Sequence, residues 1–519
     1  MAFDLTNFHD PALDEAYLTH LVDQQASETA THYARLWNYF LNPFVPPVGV
    51  QAGAINERSR PYFQAQEAGL PARITGVART GLPGGATTDF HRKEVVIEND
   101  IAWRLHTMVD FLFGKGVTIR SLAADPFVAQ TVEAVAAALL DANGGLRLLQ
   151  EIALLGAVHG FADVALRAPR SDAARAASPG RPSPPSENRQ DPNPDRSRTR
   201  TARAVHAVRR LMLETVEAGR VLPILDEDDY QTVRFWIQRY DKHPSRMVNQ
   251  RRPWYAFARR PSSTPAAVEV VEILSSAWWQ RYEDRELVAE GPCSLGRLPV
   301  VHIQNVALPG SYSGLSDVEP LIALQDELNT RLSDRASRVT FQSFRMYLGK
   351  GIDNFLERPV APGQMWATHN PDAEIQEFGS DPGSPSEDVH IEQVRQAMDK
   401  VSGVTPLAAG LIRGHVGNLT SAAALRVVLS GLLARTAKKR LTYGAGLRQI
   451  ISVALDFLDR TGALRTAPED RRVEIHWPAL LPDDEGEQLR NALTKVQLGV
   501  PADRVLAEIG YANEDADVR

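Results

Sequence analysis

The sequence predicts a mainly helical α+β protein, and three observations lead to this class. Apolar residues recur at helical spacing before residue 160 and again after residue 315. Between residues 203 and 305, runs of β-branched and aromatic residues bounded by Pro, Gly and Asp predict strands. A hydrophobic fraction of 43% with 23% charged residues is ordinary for a chain that buries a core.

The predicted elements follow from periodicity and from helix caps. Ser316, with Glu319 three residues later, predicts a capping box at the start of one amphipathic helix. Gly462 predicts the end of the longest helix, in which Gly431, Gly444 and Gly446 are candidate kinks. The predicted helices cover residues 14–40, 93–113, 126–140, 145–159, 316–340, 388–402, 419–459 and 501–509, and one more ends at Leu498. Short strands are predicted at 117–119 and 161–167.

Residues 168–204 differ from the rest of the chain in composition. They are rich in Pro, Ser, Arg and Asp and contain almost no large apolar residues. Such a segment buries too little surface to offset the entropy of ordering it. The sequence therefore predicts a disordered insertion in a surface loop. We favour the interpretation that this loop is solvated over the alternative that its arginines contact nucleic acid.

Charge and cysteine content exclude several classes of protein. The formal net charge of −7 is not that of a basic nucleic-acid-binding protein. The single cysteine, Cys293, excludes an intramolecular disulfide and a zinc site with several cysteine ligands. We expect no signal peptide, because residues 1–14 are acidic and mixed, and no membrane span, because no apolar run approaches about 18 residues.

The motifs that carry chemistry are mostly missing, so we expect no enzyme and no cofactor. The glycine-rich segment at 81–89 lacks the Gly-Lys-Ser/Thr ending of a phosphate-binding loop. The acidic run Asp226–Asp229 is a weak candidate for a divalent metal, and a solvated turn is the simpler interpretation. His106 and His159 lie in apolar helical segments, where a structural histidine is the default expectation.

Four segments in order resemble the portal proteins of tailed bacteriophages, in particular the type found in long-tailed phages. The first is IENDIAWRLHTMVDFLFGKGVTI at 97–119. The most specific is LPVVHIQN with the following GLSDVEPLIALQDELNTRLSDRASRVTFQ, within 298–342. The others are the helical segment 420–451 and VEIHWPALLPDDEGEQ with LGVPADRVLAEIGY. The resemblance covers about residues 90–510, and the first 90 residues show none.

The resemblance implies a portal fold divided into regions. The expected boundaries are 1–314 for the wing, with 168–204 inserted, 315–340 for the first stem helix, 341–386 for the clip, 387–403 for the second stem helix, 404–419 for the tunnel loop, 420–462 for the long helix of the wing and crown, and 463–519 for the crown. The expected crown is short for the family.

The resemblance also implies a function and a set of partners. The chain is expected to form a homo-oligomeric ring, usually twelve-fold, at one vertex of a capsid, as a channel for packaging and ejecting double-stranded DNA. The expected partners are DNA, the large terminase subunit, a head-completion adaptor, and the major capsid and scaffold proteins. The expected locations are the virion and, during assembly, the host cytoplasm, without a membrane.

Candidate site residues follow from these regions. Arg413 and His415, with Asn418, are expected in the tunnel loop facing DNA, although Arg413 pairing with a carboxylate of a neighbouring copy is an equal alternative. The stem candidates are Leu321, Leu324, Leu328, Arg331 and Arg335. The clip candidates, which face a partner or form core within the ring, are Phe355, Met365, Trp366 and Phe378.

Two other classes of function remain open at this point. One is another structural virion component, such as an adaptor ring or a capsid subunit, against which the size and the order of stem, clip and stem argue. The other is a metal-dependent nucleic-acid enzyme that uses the carboxylates of Asp226–Asp229.

Overall fold

A computed structural model of the chain describes residues 3–10, 12–45, 63–75, 94–168, 194–229, 232–242, 267–293, 295–343, 346–350, 371–378, 385–410, 422–481 and 485–508. The predicted mainly helical α+β class is confirmed. The helices are α1 (Glu15–His20), α2 (Ala26–Leu41), α3 (Ala72–Thr75), α4 (Asp100–Phe113), α5 (Pro126–Ala142), α6 (Leu146–His159), α7 (Pro194–Val208), α8 (Ile322–Ser343), α9 (Pro385–Ser402), α10 (Ala422–Val428), α11 (Ser430–Arg460), α12 (Glu485–Gln497) and α13 (Ala502–Glu508).

The strands form five small sheets. They are β1 (Phe44–Val45), β2 (Phe63–Gln64), β3 (Thr118–Ser121), β4 (Phe161–Arg167), β5 (Met212–Val216), β6 (Val221–Leu225), β7 (Val233–Lys242), β8 (Val268–Leu274), β9 (Trp278–Glu283), β10 (Glu286–Pro292), β11 (Val300–Gln304), β12 (Met346–Lys350), β13 (Glu374–Phe378) and β14 (Val473–His476). The sheet orders are β10-β9-β8-β7-β6, β11-β4-β5, β14-β3, β1-β2 and β12-β13, and every pairing is antiparallel.

The chain divides into two compact units. The first comprises Met1–Leu36, Arg104–Asp317 and Gly403–Arg519, and the second comprises Trp37–Trp103 and Val318–Ser402. In the first unit, the amino-terminal segment from Phe3 to Ala26 contributes to one core with the five-stranded sheet, whose members include Phe235 and Tyr282. Alternate residues of the same strands, such as Trp236 and Leu274, pack with residues of the three-stranded sheet.

Several predicted helices are confirmed, and their ends follow ordinary capping chemistry. Asp125 caps α5 by accepting the backbone N–H of Phe127. Gly160 ends α6 in the left-handed region at φ 95°. Gly462 has φ 70°, and the N–H of Ala463 returns to the carbonyl of Leu458, so α11 ends with the predicted glycine motif.

Four predictions about elements are wrong. Residues 94–99 are not helical, so the predicted helix 93–113 begins at Asp100. Part of the predicted disordered insertion forms helix α7. The predicted single helix 419–459 is interrupted at Leu429, where ψ is 2°, two residues before the candidate kink Gly431, and it is not broken at Gly444 or Gly446.

The fourth error is the capping box at Ser316. The hydroxyl of Ser316 donates to the carbonyl of Val158, and Val318 precedes a 3-10 turn at Glu319–Leu321 without a side-chain cap. The hydroxyl is therefore used in packing the first unit. Pro320, which lacks an N–H, occupies the first turn of the helix instead.

Candidate functional site

The second unit contains a helical hairpin closed by a β-ribbon. Helix α8 leads to β12, β13 returns antiparallel to it, and α9 packs back against α8. Of the stem candidates, Leu321 and Leu328 are fully buried and Leu324 is half-buried. These leucines are therefore core residues of the unit itself.

A row of polar side chains occupies the buried face of α8, and sequence reasoning missed it. Gln325, Asn329 and Ser333 have no exposed surface and lie four residues apart, so they share one face of the helix. Their side-chain oxygens accept the backbone N–H groups of Asp100, Glu98 and Val96 at 3.0–3.1 Å. We call these three side chains the polar ladder.

The geometry of the polar ladder explains why residues 94–99 are extended. Four helical residues rise about 6.0 Å, and two extended residues rise about 6.6 Å, so the two segments stay in register. Every second N–H of the extended segment then meets the next rung of the helix. A helix over 94–99 would withdraw these N–H groups, so three buried side-chain oxygens would lose their backbone donors. Val95, buried with Leu70 and Ile74, secures the segment on its other side.

The polar ladder extends into a wider network. The side-chain nitrogen of Asn329 donates to Oε1 of Gln66 at 2.9 Å. Gln66 is fully buried and donates in turn to the carbonyl of Tyr39 and to Asn99. Asn99 donates to the carbonyl of Phe40 at 2.8 Å. These bonds join distant stretches of Trp37–Trp103 to α8. Only one register of the helix satisfies all of them.

Charged residues on the other faces of α8 pair within the chain. Arg331 bonds to Glu327 at 2.7 Å, and His390 on α9 bonds to the same carboxylate at 3.0 Å. Arg335 bonds to Asp388 at 2.9 Å, next to a contact between Arg338 and Glu387. Burial alone would raise the pKa of Glu327, but the hydrogen bonds from His390 and Arg331 outweigh it and lower that pKa. The stem candidate Arg335 thus reaches α9, whereas the ion pair of Arg331 lies within α8 and His390 makes the link from Glu327 to α9.

The remaining predicted site residues lie mostly outside the described part of the chain. Arg413, His415 and Asn418 fall there, as do Phe355, Met365 and Trp366, and the glycine-rich segment 81–89. The backbone of Phe378 lies in β13 opposite Met346. The clip and tunnel-loop assignments therefore stay predictions.

In the first unit, a buried charge cluster holds the residues just before α8 to the long helix α11. Asp317 has 1% exposed surface and contacts Lys439 and Arg435, each at 2.5 Å. Asn305 donates to the same carboxylate at 3.0 Å, and Tyr443 donates to Asn305 at 3.1 Å. Removing one member of such a cluster leaves a buried charge unpaired, so the cluster ties Asp317 firmly to α11 within the first unit.

The cluster also shifts two pKa values. Burial alone would raise the pKa of Asp317, but the positive charges of Lys439 and Arg435 outweigh it and lower that pKa. Burial lowers the pKa of Lys439, and the carboxylate of Asp317 only partly offsets it. The two positive charges favour the ionised form of Asp317, and the positive charge of Arg435 also disfavours a proton on Lys439.

An Asp-His pair in the same unit looks like part of a catalytic site, but its bonds are structural. His302 bonds through Nδ1 to Asp163 at 2.7 Å and through Nε2 to the carbonyl of Tyr312 at 2.8 Å. Asp163 is fully buried and also accepts from Trp236 and from the Tyr312 hydroxyl, both at 2.7 Å. Because both ring nitrogens already have partners, neither is left to act as a general base.

The acidic run predicted as a weak metal candidate is a turn between β6 and β7. Asp226 accepts the N–H of Asp228 at 3.0 Å, and Asp229 accepts the hydroxyl of Thr232 at 2.7 Å. Across the described ranges, no three His, Cys, Asp or Glu side chains lie together as a metal site. Among the same residues, no helix is both long and apolar enough to cross a membrane.

Comparison with known protein families gives information about function that the geometry alone does not. Residues 256–510 match the family model described as "Phage portal protein, SPP1 Gp6-like". This part of the chain is similar to the SPP1 Gp6-like phage portal family. The match covers β8 to α13, including the helical hairpin and α11, and it confirms the resemblance to portal proteins seen in the sequence.

Two solved structures are similar to the chain at low identity. One is the virion of a native gene transfer agent particle, with 12% identity and a TM-score of 0.37, covering 78% of this chain and 93% of that chain. The other is the neck of an empty gene transfer agent particle computed with C6 symmetry, with 14% identity and a TM-score of 0.39, covering 78% and 90%. No curated protein matches the chain.

Proposed function

We propose that this chain is the subunit of a portal ring, set at one capsid vertex, through which double-stranded DNA is packaged and ejected. The observation that supports it most is the portal-family match over residues 256–510, which contains the hairpin of α8, β12, β13 and α9. In this proposal α8 and α9 are the stem helices and the β-ribbon is the base of the clip.

The rigidity of the hairpin suits this role. A ring built from identical chains closes only when every copy presents the same surfaces at the same angle. The polar ladder gives α8 one register, and the contacts of Arg335 with Asp388 and of His390 with Glu327 hold α9 beside it. The helices of the hairpin therefore pack in the same way in every copy.

The overall charge suits a sliding substrate. Twelve copies at −7 would carry −84, and duplex DNA carries one negative charge per about 1.7 Å of axis. Tight phosphate binding along the channel would stall movement. We place the local cationic contacts at Arg413 and His415 in the tunnel loop, with Asn418 beside them.

The proposed partners follow from the regions. The clip, with Phe355, Met365, Trp366 and Phe378, would meet the large terminase subunit during packaging and a head-completion adaptor afterwards. The wing would meet capsid and scaffold proteins. The terminase ATPase would supply the energy, so the chain itself needs no catalytic step.

Mass photometry and negative-stain electron microscopy of the purified chain test this function together. Twelve copies of 57.2 kDa total about 686 kDa. We expect rings near that mass with a central hole. Small compact oligomers without a hole, at every salt and protein concentration tried, would contradict the proposal.

A further inference from the structure

Helix α7, which the sequence suggested was disordered, has one buried and one basic face. Ala204 and Val208 are fully buried, and the hydroxyls of Thr201 and of Thr131 on α5 lie 2.9 Å apart. The helix packs against α5 and α11. These contacts fix which side of α7 faces solvent.

The solvent face of α7 is strongly basic. Residues 194–210 contain six arginines, one aspartate and one histidine. Arg200, Arg203, His206 and Arg209 are exposed and lie three residues apart, so they follow one ridge of the helix. The N–H of Arg209 still bonds to the carbonyl of Val205, which continues the helical path to the last arginine.

The arginines of this ridge are not neutralised by the chain. Within the described ranges, Arg200, Arg203 and Arg209 make no ion pair. Most ion pairs elsewhere in these ranges do involve an arginine. Arg331, for example, pairs with one carboxylate, and Arg471 pairs with two aspartates. Among the described carboxylates of α5, Glu133 is engaged with the N–H of Ser121. In a chain with a net charge of −7, this ridge is a local concentration of unpaired positive charge.

We infer that the ridge of Arg200, Arg203 and Arg209 binds the phosphate backbone of duplex DNA. The three arginines span nine residues, or about 13 Å at 1.5 Å per residue. Over that length a duplex presents about eight phosphate charges. Phosphate contacts need only cations and no base reading, which matches a face with arginines and no amide or carboxylate side chain.

An acidic protein segment is the other ligand for such a charge, and the composition of the face argues against it. Protein interfaces bury an apolar centre with aromatic or aliphatic anchors. The exposed residues between the arginines are small or polar, namely Ala202 and His206. The arginines of the ridge are different residues from the tunnel-loop candidates Arg413 and His415, so separate variants test the two sites.

Fluorescence anisotropy of the full chain with a duplex of ~30 base pairs and arbitrary sequence, between about 50 and 200 mM salt, tests the inference. The test variant carries Arg200→Ala, Arg203→Ala and Arg209→Ala. The control carries Arg147→Ala, Arg448→Ala and Arg472→Ala, three exposed arginines elsewhere, so both variants lose three positive charges. Alanine favours helices, and circular dichroism checks that α7 remains.

We expect the test variant to bind at least about tenfold more weakly, with the slope of log K against log salt reduced by about 2.7, that is about 0.9 for each phosphate contact. The control should bind like the parent chain. Replacing the three arginines by lysine should keep most of the affinity.

Three outcomes would overturn the inference. They are no duplex binding by the parent chain, an equal loss in test and control variants, and binding of polyglutamate but not of duplex through the same arginines. The last would assign the ridge to an acidic protein partner. A ring by electron microscopy together with any of these results would leave the proposed portal function standing.

Discussion

Asn329 on α8 is the rung of the polar ladder whose loss has the clearest consequence. Its oxygen accepts from the N–H of Glu98 at 3.0 Å, and its nitrogen donates to the fully buried Gln66 at 2.9 Å. Asn329→Ala removes both bonds and a third, which the same oxygen accepts from Nε2 of Gln325 at 3.0 Å. Each buried polar group left without a partner costs about 1–3 kcal/mol, so two such groups cost about 3 kcal/mol.

The destabilisation caused by Asn329→Ala should be measured at the backbone amides of residues 94–101. Hydrogen exchange followed by mass spectrometry measures the free energy of local opening there. A loss of about 3 kcal/mol corresponds to exchange about 150-fold faster. Arg335→Ala on the same helix is the matched control, because its ion pair with Asp388 has side chains 48% and 61% exposed. Such a surface pair is worth about 0–1 kcal/mol, so exchange at 94–101 should stay nearly unchanged.

The polar ladder would lose its assigned role if Asn329→Ala left exchange at 94–101 as slow as in the parent chain. The same conclusion would follow if Arg335→Ala accelerated exchange equally, because the effect would then belong to the whole hairpin.

Two further predictions concern the first unit. Gly446→Ala places a Cβ 2.5 Å from the side chain of Ile303, whereas at Gly444 the nearest atoms, in Trp477, are 3.7 Å away. In thermal unfolding, Gly446→Ala should lower the free energy of unfolding by about 1–3 kcal/mol, and Gly444→Ala should raise it by up to about 1 kcal/mol. Equal effects of the two substitutions would refute the close approach at Gly446. Burial and, less strongly, the nearby His32 lower the pKa of His159 from 6.5 to about 4, so between these pH values the unfolded chain binds a proton that the folded chain does not. The free energy of unfolding from urea titrations should fall by about 3 kcal/mol as the pH drops through this window, and His159→Gln should flatten the fall; an unchanged slope in the variant would assign it to other groups.

Much of the helical framework was predictable because its signals are local. The sequence predicts α5 at 126–140, and it occupies Pro126–Ala142; it predicts α9 at 388–402, and it occupies Pro385–Ser402. In both, apolar spacing and a capping residue or proline agree on where the helix lies. The portal resemblance also came from sequence, because it depends on the order of several segments.

The errors arose where a distant partner decides the local structure. Val95 and Ile97 fit helical spacing with later residues, yet they are two residues apart, which is also strand spacing. The row of Gln325, Asn329 and Ser333 was the signal for a polar partner along α8, but it does not say which segment the partner is.

Helix α7 was missed for a different reason. Its buried face includes Ala204, which has little apolar surface, and the arginines around it dominate the composition. Two residues after the break at Leu429, the Cβ position of Gly431 lies 3.5 Å from the backbone of Gly403. No local pattern predicts such a close approach between two backbones.

A cryo-electron microscopy reconstruction of the purified oligomer tests the portal assignment most directly. We predict a closed ring in which α8 and α9 of each copy surround a central hole and residues 404–419 face into it. A closed ring with residues 404–419 on its outer surface, or an assembly with no continuous hole, would contradict the account.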